Sequence, residues 1–176
     1  MDNTGKTTLV KKIGYDLGLE TRKSPGPAPA NEMFKWVEEQ INDFKGGGTI
    51  VYDRFAAVTD QVYGPLLRKQ NPFKSEVKGR YLLQTLGELN PLIVYCRPSR
   101  IFITSFEDGR EQMKGVEDNA YELLEGYDNL VVKMVDQGFE VIVYNFEAEG
   151  SYQYLLSNIK EHLNKGIKNY KREERY

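Results

Sequence analysis

The chain of 176 residues contains one cysteine, one histidine and one tryptophan, and it has no long hydrophobic run. Because a disulfide needs two cysteines, an intramolecular bridge is excluded, and Cys96 alone cannot form a cysteine-based zinc site. The sequence shows neither a signal-peptide pattern nor an apolar stretch of transmembrane length. These absences predict a cytoplasmic protein with no membrane partner.

The sequence also lacks a surplus of charge of either sign, since 24 lysines and arginines stand against 26 acidic residues. Proteins that bind duplex nucleic acid usually carry a dense basic face, so we expect no nucleic-acid partner. The length and the 40 % hydrophobic content predict one globular domain over residues 1–164. A polar, glycine-bracketed segment at about 109–116 is typical of a mobile loop, and the charged residues 165–176 lack an apolar stripe and predict a frayed or loosely attached tail.

Hydrophobic periodicity divides the chain into alternating helices and strands. Short, continuous apolar runs at 49–52, 92–96 and 141–144 are typical of strands covered on both faces of a parallel sheet. Strands that alternate with helices predict an α/β fold with helices on both faces of that sheet. The predicted helices lie at about 5–17, 58–69 and 74–89, around Phe34 to Phe44, after Pro98, around Leu123 to Met134, and around Leu155 to Leu163.

The first predicted helix opens on Gly5-Lys6-Thr7-Thr8, which is half of a phosphate-binding P-loop. In a P-loop, backbone N–H groups at the helix N-terminus bind phosphates, the lysine reaches the β and γ oxygens, and the next hydroxyl binds Mg²⁺. Gly5, Lys6 and Thr7 would take these roles. The other interpretation is a helix start that resembles the motif by chance.

The complete P-loop motif has a further glycine five residues before Gly5 and a buried strand before the loop. Both would lie upstream of Met1. The genomic sequence upstream of Met1 distinguishes two alternatives. An in-frame apolar β-type run that ends in Glu-Gly would mean that the product starts earlier, whereas a stop codon there would favour a nucleotide-binding protein that has lost turnover.

Asp53 and Arg54 directly follow a strand of the buried type, where α/β folds place groups that bind ligands. An aspartate there can hold Mg²⁺ through water, and an arginine can bind phosphate with two parallel hydrogen bonds. An ordinary charge pair at a solvated strand end is the alternative. Four further arginines lie in or near predicted loops and could converge on phosphate, namely Arg22, Arg68, Arg97 and Arg110. For each of them a surface role is the alternative.

The ordered set of motifs resembles the thymidylate kinase-like nucleoside monophosphate kinases, which include bacteriophage deoxynucleotide kinases. Residues 2–8 resemble the P-loop of that family, and residues 21–26 are similar to its Thr-Arg-Glu-Pro-Gly-Gly turn, with Lys-Ser in place of Glu. Residues 53–55 resemble its Asp-Arg-aromatic motif, and residues 59–65 resemble the helix that follows. The segments 91–98 and 110–116 match its next strand and its lid.

This resemblance implies a three-layer P-loop fold with a short lid, and transfer of the γ-phosphoryl group from ATP to a deoxynucleoside monophosphate such as dTMP. It also implies Mg²⁺, a possible homodimer, and the host cytoplasm if the source is a phage. The catalytic residues would be Lys6, Asp53, Arg54 and Arg110, with Lys114 closing from the lid. The resemblance assigns ATP to Asn3, Thr4, Gly5, Lys6, Thr7 and Thr8, the metal to Thr7 and Asp53, and the acceptor to Arg22, Arg54, Tyr63 and Arg68.

Two other functions remain open at this point. A deoxynucleoside kinase has a similar layout but normally carries an acidic-Arg-Ser motif where this chain has Phe55. A nucleotide-binding protein that has lost turnover would also fit the incomplete P-loop.

Overall fold

A computed structural model describes residues 5–24, 29–46, 49–89, 91–104 and 114–173. Helices and strands alternate along this part of the chain, and none of its helices is long and apolar enough to cross a membrane. The helices are α1 (Lys6–Leu17), α2 (Ala30–Lys45), α3 (Ala56–Tyr63), α4 (Pro72–Ser75), α5 (Val77–Glu88), α6 (Ala120–Asp136) and α7 (Ser151–Glu173), and the strands are β1 (Glu20–Lys23), β2 (Ile50–Asp53), β3 (Ile93–Cys96) and β4 (Val141–Tyr144).

Helix α1 begins and ends where its sequence predicts. Gly5 and Gly18 flank it in the left-handed conformation, with φ of 68° and 65°, which glycine adopts without the steric cost of a Cβ atom. Its apolar positions Leu9 and Ile13 are buried. The prediction of a helix at 5–17 is therefore confirmed.

The four strands form two parallel pairs, β1 with β2 and β3 with β4. In the first pair Thr21 lies opposite Val51, and in the second Val94 lies opposite Ile142. The three apolar strands were predicted, but β1 was not. All four β1 residues are exposed and polar, so no hydrophobic pattern in the sequence indicates this edge strand.

Three further segments differ from the predicted elements. The predicted helix at 58–69 ends as a π-helical turn at Gly64–Arg68, and the one at 74–89 is divided into α4 and α5. The helix predicted directly after Pro98 is absent from residues 99–104, where the described residues form only a short 3₁₀ turn, Phe102–Thr104. Helix α7 continues past Leu163 to Glu173, while the loose attachment of the tail stays a prediction.

Helices cover both faces of the β3–β4 pair, which gives the three layers of an α/β fold. Side chains on one face, including Ile93 and Tyr95, pack with α3 and α6, whereas Val94 and Cys96 on the other face pack with α1 and α7. Consecutive residues of a strand point to opposite faces, so both faces of β3 are apolar. A third cluster joins α2, α4 and α5 around the fully buried Phe73.

Candidate active site

The N-terminus of α1 lies at the carboxyl ends of β2 and β3. The buried side chains of Leu9 and Ile13 fix the helix against the core, which places the first-turn residues Lys6 and Thr7 next to the end of β2. The orphan N–H groups and the positive dipole end of a helix favour an anion at such a position. The start of α1, from Gly5 to Thr7, therefore lies at the edge of the sheet where ligands bind in α/β folds.

Thr7 and Asp53 form the most direct contact in this site. The Thr7 hydroxyl donates a hydrogen bond of 2.6 Å to Oδ2 of Asp53, although the two residues are 46 positions apart in the chain. Asp53 is the last residue of β2 and is buried, and its carbonyl accepts a hydrogen bond of 3.1 Å from the N–H of Ser24. The fold thus joins two residues that the sequence proposed separately as metal ligands.

Lys6 lies beside the end of β3 as well as the end of β2. Burial lowers the pKa of its ammonium group, and the nearby Cys96 and Asp53 partly oppose that effect. Burial raises the pKa of the Cys96 thiol to about 11, so at neutral pH this group is a neutral thiol and not a counter-ion. Asp53 is accordingly the carboxylate that supports the charge of Lys6.

Arg54 adopts a backbone conformation that is uncommon for a residue with a side chain. Its φ is 72°, in the left-handed region, which costs on the order of 1–3 kcal/mol and is concentrated at functional sites. Burial raises the pKa of the Tyr63 and Tyr127 hydroxyls, and the positive charge of Arg54 partly opposes this, so the guanidinium lies near both. Both tyrosines belong to one aromatic cluster near Arg54.

The tyrosine cluster consists of Tyr63, Tyr95 and Tyr127. Tyr127 packs edge-on against Tyr63 and nearly parallel to Tyr95, with ring centroids 5.9 Å apart in both pairs. All three rings are buried. Tyr63 was predicted to bind substrate, and in this structure its ring belongs to the core, with its hydroxyl end toward the charge of Arg54.

Three of the other arginines proposed from the sequence are each held by a carboxylate. Arg22 pairs with Glu20 at 2.6 Å and with Asp43, and Arg68 pairs with the buried Asp60. Arg97 donates two hydrogen bonds, of 2.8 and 2.9 Å, to the carboxylate of Asp128. The structure therefore groups Lys6, Thr7, Asp53 and Arg54, and it places Arg22, Arg68 and Arg97 in ion pairs of their own.

Several predicted site residues lie outside the described part of the chain, namely Asn3, Thr4, Arg110 and most of the proposed lid. Thr8 is exposed in the first turn of α1. At the far end of the lid segment Lys114 is exposed, whereas Val116 is fully buried against the core next to α6. Val116 fixes that end of the segment.

An aromatic pair beside Gly5 was not predicted from the sequence. Phe102 and Phe146 pack edge to face with centroids 4.8 Å apart, and a Cβ atom added at Gly5 would lie 3.9 Å from the Phe146 ring. Ser99 supports this arrangement, because its N–H and hydroxyl both donate to the carboxylate of Glu147, at 2.8 and 3.0 Å. The contacts join the loop after β3 to the loop after β4, which no local pattern could predict.

The oxygen atoms at the loop suit a hard divalent cation. Mg²⁺ prefers oxygen ligands and is usually held by one or two protein groups together with water and substrate phosphates. The Thr7 hydroxyl and the Asp53 carboxylate supply such a pair. Among the described residues no three histidine, cysteine or acidic side chains cluster as a larger metal site.

The chain has the α/β fold of the P-loop kinases, as comparison with solved structures shows. The YorR protein from Bacillus subtilis, in complex with phosphorylated GDP, has a TM-score of 0.67 at 15 % identity, over 93 % of this chain and 92 % of that one. A deoxyadenosine kinase from M. mycoides with bound dATP has a TM-score of 0.59 at 20 % identity, over 92 % and 94 % of the two chains. Comparisons with protein families and with curated proteins gave no match.

Proposed function

We propose that this chain is a kinase that transfers the γ-phosphoryl group of Mg-ATP to a deoxynucleoside monophosphate, dTMP or a close relative. The observation that carries the proposal is the contact between Thr7 and Asp53, beside Lys6, at the carboxyl ends of β2 and β3. It unites the two halves of a phosphoryl-transfer site that lie 46 residues apart in the sequence. The fold shared with a deoxyadenosine kinase supports the same class of reaction.

Phosphoryl transfer asks the protein mainly for alignment and for neutralisation of charge. In this proposal the Lys6 ammonium binds the β and γ phosphate oxygens of ATP, and the N–H groups at the start of α1 bind the remaining oxygens. Thr7 and Asp53 would hold Mg²⁺, which when bound would supply positive charge against the negative charge that develops on the phosphates. Arg110 and Lys114 belong to the lid that would exclude water from the reaction.

The acceptor lies, in this proposal, on the Arg54 side of the site. Arg54 follows Asp53 directly, and its positive charge lies near Tyr63 and Tyr127. Its position next to Asp53 would let its guanidinium bind the phosphate of the acceptor beside the donor. Arg68 and Arg22 remain candidates for acceptor binding, but each would have to leave its carboxylate partner. Phe146 and Phe102, next to Gly5, offer a surface on which the base of ATP can stack.

A deoxynucleoside kinase is the second candidate, because a deoxyadenosine kinase shares the fold over most of both chains. The two candidates differ in the acceptor: a nucleoside kinase phosphorylates a 5′-hydroxyl, and a monophosphate kinase a 5′-phosphate. Phe55, where nucleoside kinases normally carry serine, favours the monophosphate.

The experiment is to measure ADP formation from Mg-ATP with each deoxynucleoside and each deoxynucleoside monophosphate as acceptor. We expect turnover with at least one monophosphate. Lys6→Met should lower kcat by about 10²–10³-fold, as does loss of one preorganised charged donor. Lys11→Met is the matched control, because Lys11 lies exposed on the same helix, and we expect it to leave kcat within about twofold.

Three results would contradict the proposal in different ways. Turnover with deoxynucleosides alone would favour the nucleoside kinase. Binding of ATP without formation of any phosphorylated product would favour a nucleotide-binding protein that has lost turnover. Equal activity of the Lys6 and Lys11 variants would show that Lys6, at the start of α1, does not bind the phosphates of ATP.

A further inference from the structure

Two buried hydroxyls of the tyrosine cluster lack a hydrogen-bond partner among the residues that the structure describes. They belong to Tyr63 and Tyr127, which are only 4 % and 5 % exposed. A buried polar group without a partner destabilises a fold, and phenylalanine would fill the same space without that cost. These hydroxyls therefore indicate a role other than packing.

The third tyrosine of the cluster differs in this respect. The hydroxyl of Tyr95 donates a hydrogen bond of 3.1 Å to Asp128, which also accepts two hydrogen bonds from Arg97. The ring of Tyr127 packs against the rings of both Tyr95 and Tyr63. These contacts fix the ring of Tyr127, but they do not satisfy its hydroxyl.

The two hydroxyls lie beside a fixed positive charge. Burial raises the pKa of both, and the charge of Arg54 partly opposes this effect, so the guanidinium is near each of them. Because both pKa values are raised, the hydroxyls stay protonated at neutral pH and can donate. A guanidinium donates hydrogen bonds and accepts none. Three donors so close together favour a partner that accepts hydrogen bonds and carries negative charge.

Space for such a partner lies next to these residues. A cavity of about 680 Å³ is bordered by every residue of β2 and of β3, and Arg54 and Tyr127 belong to its wall. Lys6 and Asp53 line the same cavity. A ligand that occupies the candidate active site can therefore reach the side of the cavity where Tyr127 lies.

The two faces of β3 separate the tyrosines from the start of α1. Tyr95 packs with Tyr63 and Tyr127 on the face that α3 and α6 cover, whereas Cys96 packs on the face of α1 and α7. Lys6 lies near Cys96. An anion bound by the tyrosine hydroxyls is thus distinct from the donor phosphates that Lys6 would bind, and in the proposed reaction the second anion is the 5′-phosphate of the acceptor.

We propose that Tyr127, together with Tyr63, donates a hydrogen bond to the 5′-phosphate of the acceptor beside Arg54, and that these hydroxyls make the site prefer a monophosphate over a nucleoside. The inference rests on the proposed function for the identity of the acceptor. It assigns the choice between the two classes of acceptor to Tyr127 of α6, a residue that no sequence motif indicates. Tyr63 contributes its hydroxyl to this site while its ring stays in the core.

The test removes single hydroxyls and measures binding by isothermal titration calorimetry without ATP. The probes are dAMP, dCMP, dGMP and dTMP, each compared with its own nucleoside. The ratio of the two dissociation constants is the preference for the monophosphate. Because a hydrogen bond to a charged group contributes about tenfold or more in affinity, Tyr127→Phe and Tyr63→Phe should each lower this preference by about tenfold or more.

Urea unfolding separates this role from a structural one. Since the hydroxyls of Tyr63 and Tyr127 lack partners in the described structure, both phenylalanine variants should unfold at midpoints equal to or above that of the parent chain. Tyr95→Phe is the matched control, because it removes a hydroxyl of the same cluster that is bonded to Asp128. It should lower the midpoint and leave the preference for the monophosphate within about twofold.

The outcomes distinguish this inference from the proposed function. A parent chain that binds no monophosphate, or binds it no more tightly than the nucleoside, would refute the phosphate site. An unchanged preference in Tyr127→Phe would refute the role of its hydroxyl, and turnover by the parent chain would still support the kinase. A preference lost in Tyr127→Phe, with no phosphorylated product from the parent chain, would support the phosphate site and contradict the proposed reaction.

Discussion

Two glycines on helix α5 allow a direct test of how closely this structure is packed. A Cβ atom added at Gly79 would lie 2.3 Å from the carbonyl oxygen of Pro72 and 2.6 Å from Cα of Phe73. Both obstacles are backbone atoms of α4, and Phe73 is fully buried. At Gly87, eight positions further along the same helix, an added Cβ atom would lie 3.5 Å from Cζ of the Phe139 ring, which is an ordinary contact.

The same substitution should therefore have opposite effects at the two positions. Gly79→Ala forces α5 away from α4, and overpacking of this kind costs about 3 kcal/mol when backbone must move. The higher helix propensity of alanine offsets about 1 kcal/mol of this cost, so the free energy of unfolding should fall by about 2 kcal/mol. Gly87→Ala keeps the gain of up to about 1 kcal/mol. For a chain of this length 1 kcal/mol shifts Tm by about 2–4 °C, so the two variants should differ by about 6–12 °C.

The assay is urea unfolding followed by circular dichroism, together with thermal unfolding of the same samples. The m value should be the same for both variants and the parent chain, so that the midpoints report stability. Equal midpoints for the Gly79 and Gly87 variants, or a more stable Gly79 variant, would refute the close approach of α4 and α5.

Three further predictions concern other parts of the molecule. The hydrogen bond from Arg97 lowers the pKa of Asp128, so the ionised carboxylate stabilises the folded chain. Asp128→Asn should therefore lower the free energy of unfolding, measured by urea titration, at pH 7. The difference from the parent chain should disappear as the pH falls below about 4. Cys96 should react with a thiol reagent at pH 8 far more slowly in the folded than in the urea-unfolded chain, and equal rates would contradict its burial. Leu155→Ala should cost about 2–5 kcal/mol of unfolding free energy because Leu155 is fully buried, whereas Tyr154→Ala, at a largely exposed position, should cost less than about 0.5 kcal/mol.

The sequence by itself determined the elements whose signals are local. Helix α1 has its apolar spacing and its two flanking glycines within 14 residues, and the runs that form β2, β3 and β4 are continuous and β-branched. Those signals depend only on near neighbours in the chain, so the α/β class follows from them. Lys6, Thr7, Asp53 and Arg54 could also be proposed from motifs of fixed spacing.

Only the tertiary structure decided which distant groups meet. Strand β1 is polar and exposed, so its residues show no hydrophobic pattern that would predict its pairing with β2. The ion pairs of Arg68 with Asp60 and of Arg97 with Asp128 assign those arginines to partners that no motif indicates. The cavity between β2 and β3 could not be predicted either, because it lies between elements that are far apart in sequence. Contacts of this kind depend on the packing of whole layers, which local periodicity does not contain.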